Sequence, residues 1–253
     1  MEGIAISDTV TAWILLAALA FARVGTAVLM LPGFGDAQIP ARIRIAFGLV
    51  MTLALMPALP LPAPPGQITA LALLFAGEIL VGAFIGTGTR VLLAAMHLLG
   101  AQIGMVAGLS NAFAPGVSNT ESATVLGSLL TVAAVALIFV SDLHHVMISA
   151  ILRSYAILPP AHLPVGDMAD QIARLGASAF RISAALAAPF LVVSVLLNLG
   201  LGLANRVMPG MQVFFVAAPG MILAGFALLA LAVPATLDVM VETLADWLLG
   251  LTR

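Results

Sequence analysis

Asp142, His144 and His145 fall within the five residues Ser141–His145, between two apolar runs. A carboxylate beside imidazoles can relay protons, because histidine changes charge near neutral pH. The same donors can ligate a divalent cation. Against both, adjacent histidines on a helix point in different directions, and the sequence offers no third ligand set. A structural, hydrogen-bonded role is the simpler reading. Other ionisable residues stand alone in apolar surroundings. Arg23 is the one charge in Val10–Leu31. Glu78 and Arg90 lie twelve residues apart, about 18 Å on a straight helix, so they pair only if the helix bends. Arg206 sits in the break Asn205–Gly210, where it can satisfy loose carbonyls. Ionisable groups at membrane depth are costly and are paired or water-lined when present. We therefore read Arg23, Glu78, Arg90, Asp142, His144, His145 and Arg206 as buried structural polar groups.

Enzyme chemistry finds little to stand on. Zinc-protease HExxH patterns, P-loops and dinucleotide-binding glycine signatures are absent. The segment Gly86–Arg90 lacks a third glycine, and Ser110 and Ser118 have no histidine at catalytic spacing. The chain has no cysteine, which removes disulfides, thiolate catalysis and zinc-thiolate sites together. No cofactor or metal is expected. A net charge of −2 without a basic cluster argues against nucleic acid. All nine basic residues are arginine, which keeps its charge in low-dielectric surroundings.

The elements that carry these residues belong to a bilayer. Hydrophobic residues make up 62% of the 253 and charged ones 8%, against roughly 25% charged in soluble domains; mean hydropathy is +1.20. So few charges cannot cover a water-facing surface, and the solvent is lipid or other apolar protein. Run one, Val10–Leu31, is expected as a retained helix capped by Ser7 or Asp8, since Glu2 and Asp8 replace the basic start of a cleaved leader. Run two begins near Ala41 and stops in the five prolines of Pro57–Pro65. Run three, Ile68 to about Val106, holds three glycines and two threonines in Gly82–Arg90, where a break or bend is expected. Run four is Ala123–Val140, followed by Val146–Leu158. Run five spans about Asp170–Ala204. Run six, Gln212–Val233, is expected to be interrupted at Pro219–Gly220, with a last helix opening at Pro234. In that helix Asp238, Glu242 and Asp246 share one face at i, i+4, i+8, most simply a solvated one. The fold class is all-α: an integral membrane protein of bent helical hairpins, with six to eight apolar segments in one domain over 1–253. Scattered arginines leave the orientation open.

Gly108–Ser122 (GLSNAFAPGVSNTES) is the longest polar stretch between apolar runs, yet only Glu121 in it is charged. Irregular backbone cannot face hydrocarbon; it lies at the surface, within protein, or along a watery cavity. An external loop would typically carry more charge. Small uncharged residues with one aromatic suit a plug, built from Gly108, Ser110, Asn111, Phe113, Pro115, Gly116, Asn119 and Glu121.

Four segments in order resemble the FliR family of flagellar biosynthetic proteins, whose injectisome relatives are the SctT export-apparatus proteins. They are Phe21-Ala22-Arg23 with Pro32–Gly35, Ile39-Pro40 and Arg42–Arg44; Glu78–Gly82 with Gly104 and Gly108-Leu109-Ser110; Phe139 through His144-His145 to Ser154-Tyr155 and Leu158-Pro159; and Gly202, Arg206, Pro209, Val213–Phe215 and Pro219. The resemblance implies a non-enzymatic subunit of a type III protein-export gate in the bacterial inner membrane, at the flagellar basal body. In that family the chain joins FliP and FliQ in a helical assembly, with FlhB packed against it and FlhA beneath. Unfolded flagellar subunits pass through the centre, and the loop at Gly108–Glu121 helps to close it. The histidine pair favours the flagellar branch over the injectisome branch. A proton-coupled transporter using Glu78, Asp142 and His144 is the alternative from another class, but no internal repeat supports it.

Overall fold

In the computed structural model the described residues are 2–61, 65–106, 119–160, 163–207 and 213–251. Within them the chain forms seven α-helices and no strand. They are α1 (Glu2–Met30), α2 (Ala41–Leu55, extended by a 3-10 turn at Met56–Ala58), α3 (Ile68–Val106), α4 (Asn119–Val140), α5 (Leu143–Ile157), α6 (Val165–Val207) and α7 (Val213–Gly250). The all-α membrane class holds. Five of the helices are long and apolar enough to cross a bilayer, and α4 and α5 together make a sixth such stretch, bent by 77° at its break.

Several expected boundaries move. Helix α1 starts at Glu2, well before Ser7 and Asp8; acidic residues in its first two turns suit the positive end of the helix dipole. Helix α3 runs unbroken through Gly82–Arg90. Helix α7 continues through both Pro219 and Pro234, and α6 through Pro189. Interior proline costs an α-helix one hydrogen bond and some crowding, but membrane helices tolerate this because unfolding in hydrocarbon would orphan many more groups.

The chain divides into two compact units. The first holds 1–91, 138–175 and 244–253; the second holds 92–137 and 176–243. In the first, Leu19, Ala20, Val24, Ala27 and Val28 of α1 and Leu31 just after it are buried, with Val81 and Ile85 of α3 and Met147, Ala150 and Ile151 of α5. Close helix contact there comes from glycine. A Cβ built at Gly48 would sit 3.6 Å from the Gly25 Cα, so α1 and α2 cross at a pair of glycines. On α3, Gly82 and Gly86 lie against Arg23, Ala27 and Met30 of α1, closer than any side chain would permit. The glycines expected to bend α3 instead let another helix approach it. In the second unit Gly100 of α3 and Gly127 of α4 make a similar crossing.

Candidate functional site

The buried charge of the first unit is concentrated in one network. Arg23 and Glu78 are 0% and 1% exposed. Arg23 Nε donates to Glu78 Oε2 at 2.8 Å and Nη2 donates to Oε1 at 3.0 Å. This forked pairing matches the planar guanidinium to the carboxylate and sets its geometry as well as its energy. Arg23 Nη2 also donates to the Leu158 carbonyl at 2.9 Å, and Nη1 to Ser154 Oγ at 3.2 Å. Leu158 is the C-cap of α5, so the cation sits where that helix carries its partial negative charge. The Tyr155 ring covers the guanidinium at 3.9 Å, a cation–π contact that gains from exclusion of water.

Three helices position the network. Glu78, Gly82 and Gly86 recur at i, i+4, i+8 and share the face of α3 that meets α1. The missing side chain at Gly82 brings the α1 backbone close enough for Arg23 to reach Glu78, and Ser154 and Tyr155 come from the last turn of α5. Arg23, Glu78 and Ser154-Tyr155 each belong to a different segment carrying the family resemblance, and here those segments meet. Sequence reasoning flagged Arg23 and Glu78 separately and weighed Arg90 as the partner of Glu78. It missed Ser154 and Tyr155 as members of the network; their only signal was their place in the third segment.

Arg90 does something else. It is 44% exposed at its side chain, donates through Nη2 to the Gly35 carbonyl at 2.9 Å, and through Nε to the Met30 carbonyl. Arg44 Nη1 donates to the same Gly35 carbonyl at 3.1 Å. Two arginines thus satisfy carbonyls at and just beyond the end of α1, which the chain leaves through Gly33 at φ 82°. The Gly33 N–H donates to Asp36 Oδ2 at 2.9 Å, closing the turn. Phe34 in that turn stacks on Phe47 of α2 at 5.3 Å and meets Phe139 edge-on at 5.4 Å.

The α4–α5 break carries the third group. Phe139 stacks on His144 with centroids 5.3 Å apart, and His144 lies 4.0 Å from His145. Asp142 adopts the left-handed conformation, φ 59°. Asp142 and His145 are 78% and 71% exposed at their side chains, not buried as expected. The break lifts them off the helix surface, while His144 is held partly under the aromatic stack. Arg206 is likewise exposed at the end of α6, and Asp238, Glu242 and Asp246 are all exposed on α7. Of the loop residues, Gly108, Ser110, Asn111, Phe113, Pro115 and Gly116 lie outside the described residues. Asn119 and Glu121 fall in the first turn of α4, their side chains undescribed.

Long apolar helices, three of them joined by the one deeply buried ion pair among the described residues, define a polytopic membrane protein. The chain belongs to the bacterial export proteins, family 1, whose model matches residues 14–247. It is 39% identical over 223 residues to the flagellar biosynthetic protein FliR of Caulobacter vibrioides, covering 86% of this chain and 88% of that one. It is 30% identical to the FliR of Pectobacterium carotovorum, over 85% of this chain and 82% of the relative. With the FliR of Escherichia coli it shares 26% over 90% of this chain and 88% of the relative. Membership makes the chain a membrane-embedded component of flagellar protein export, an apparatus part and not an enzyme.

Proposed function

We propose that this chain is a subunit of the flagellar protein-export gate in the bacterial inner membrane, acting as one domain over its whole length. It joins FliP and FliQ homologues to form a channel for unfolded flagellar subunits, with FlhB and FlhA homologues as neighbours. The observation that carries this reading is uncovered apolar surface. In the most hydrophobic stretches of α6 and α7, 17% of the residues are buried within the chain. Leu196, Leu199, Leu203, Leu223 and Leu231 are among those exposed. Neighbouring subunits and lipid would cover them.

In this reading the segment Gly108–Glu121 helps to close the lumen at rest. Phe113 is the stopper, and Gly108 and Gly116 let the segment yield to a passing chain. Deleting Ala112–Val117 should make the resting assembly leaky to ions and small solutes, read as conductance in bilayers or solute entry into cells. Wild-type conductance from an assembly that still contains the deleted chain would overturn the plug. The relatives' flagellar names favour this role over the injectisome one.

A further inference from the structure

The α4–α5 break gathers donors that the export reading leaves unused. One ligand atom from each of Asp142, His144 and His145 lies within 4.8 Å of the other two. The adjacent histidines were expected to diverge. Their rings instead lie 4.0 Å apart, with Asp142, in the left-handed conformation immediately before α5 begins at Leu143, beside them. Aspartate is one of the few non-glycine residues that adopts this conformation readily.

Each side chain also has capacity to spare. Asp142 occupies the N-cap of α5 but makes no side-chain cap hydrogen bond, although capping is the ordinary use of an aspartate there. Its Oδ1 faces His145 Nδ1 at 3.6 Å. That is close to the separation of about 3.3–3.5 Å between ligand atoms around a tetrahedral ion bound at ~2.0–2.1 Å; the wider spacing in the cluster, up to 4.8 Å, closes by side-chain rotation on binding. His144 Nδ1 is buried and has no hydrogen-bond partner among the described residues, which is unusual for a buried polar atom. The exposed faces of Asp142 and His145 leave an ion free to enter.

The geometry points to a divalent-cation site at this break, formed by the Asp142 carboxylate and the imidazoles of His144 and His145, and suited to a borderline ion of the zinc type. Two imidazoles and one carboxylate are one of the donor sets that zinc takes in a site that keeps a position open. Calcium and magnesium require more oxygen ligands than the cluster offers. The fourth position falls to water or to a donor from a neighbouring subunit. The ion's effect is architectural: it ties the turn to the first residues of α5 and holds the 77° bend. The inference rests on the break alone and stands apart from the closure of the export channel.

The test uses the full-length chain purified from membranes through a tag free of histidine, stripped with chelator and titrated with zinc. One zinc per chain is expected, with a rise in Tm on binding. Replacing cobalt for zinc should give the absorption of a four-coordinate ion with nitrogen and oxygen ligands. Asp142→Asn with His145→Gln should weaken binding by at least about tenfold, the lower end of what even outer-shell changes cost at metal sites. It should also abolish the zinc-dependent rise in Tm. Should the double variant be poorly folded, His145→Gln alone serves, since that ring is 71% exposed. No zinc uptake by the wild type, or equal uptake and equal Tm response in wild type and variant, overturns the site.

Discussion

Arg23 has the most dependants of any single side chain described. Four hydrogen bonds and an aromatic face converge on it, and without it the Glu78 carboxylate and the Leu158 carbonyl lose these donors. Removing one partner of a buried ion pair strands the other charge and costs about 3–5 kcal/mol, whereas replacing both with apolar groups of similar size is often near neutral. Arg23→Ala and Glu78→Ala should each lower the Tm of the purified chain sharply and reduce the amount found in membranes. Arg23→Met with Glu78→Leu should recover most of the loss, leaving the deficit of the uncapped Leu158 carbonyl. Arg23→Lys should behave more like the alanine variant, because an ammonium cannot fork onto the carboxylate while also reaching α5. A double variant no more stable than the singles would show that the pairing of charges is not what the site is for.

The helices show how much of this arrangement is legible in the sequence alone. Six or more long apolar runs could be read directly, since hydropathy records the solvent each helix faces. What glycine and proline do inside those runs could not. Gly82–Arg90 looked like a bend because glycine breaks helices in water. Its actual use depends on Arg23, Ala27 and Met30, which are more than fifty residues away in the chain. Glu78 was likewise matched against Arg90 on its own helix, while its partner is 55 residues distant. Pairings of that range come from packing, and no local pattern encodes them. The reassigned role makes a prediction at this scale. Gly86→Val should force α1 and α3 apart and cost at least about 1–3 kcal/mol, as overpacking does. Gly200→Ala on α6, where added volume meets nothing within 4 Å, should be neutral or mildly stabilising. Thermal unfolding of the two variants side by side separates close approach from helix bending: if bending were the role, Gly86→Val would straighten α3 and leave its contacts intact.

The whole molecule poses a problem of length. Helices α3, α6 and α7 contain 39, 43 and 38 residues, so each is roughly 57–65 Å long. The hydrocarbon of a bilayer is ~30 Å thick, and membrane helices tilt by about 20° on average. No ordinary tilt fits them inside, so each runs beyond the lipid; α6 and α7 place the exposed charges Asp170, Arg174, Asp238 and Glu242 in part of that excess. Apolar surface outside lipid must be covered by protein, and the chain itself leaves Leu203 and Leu231 64% and 79% exposed. A photo-reactive residue placed at Leu203 or Leu231 in living cells should therefore form adducts with other export-apparatus proteins. The same probe at Leu244, which is fully buried, should form none. Adducts with lipid alone at both exposed positions would mean that these faces lie against the bilayer, and the need for protein neighbours along them would disappear.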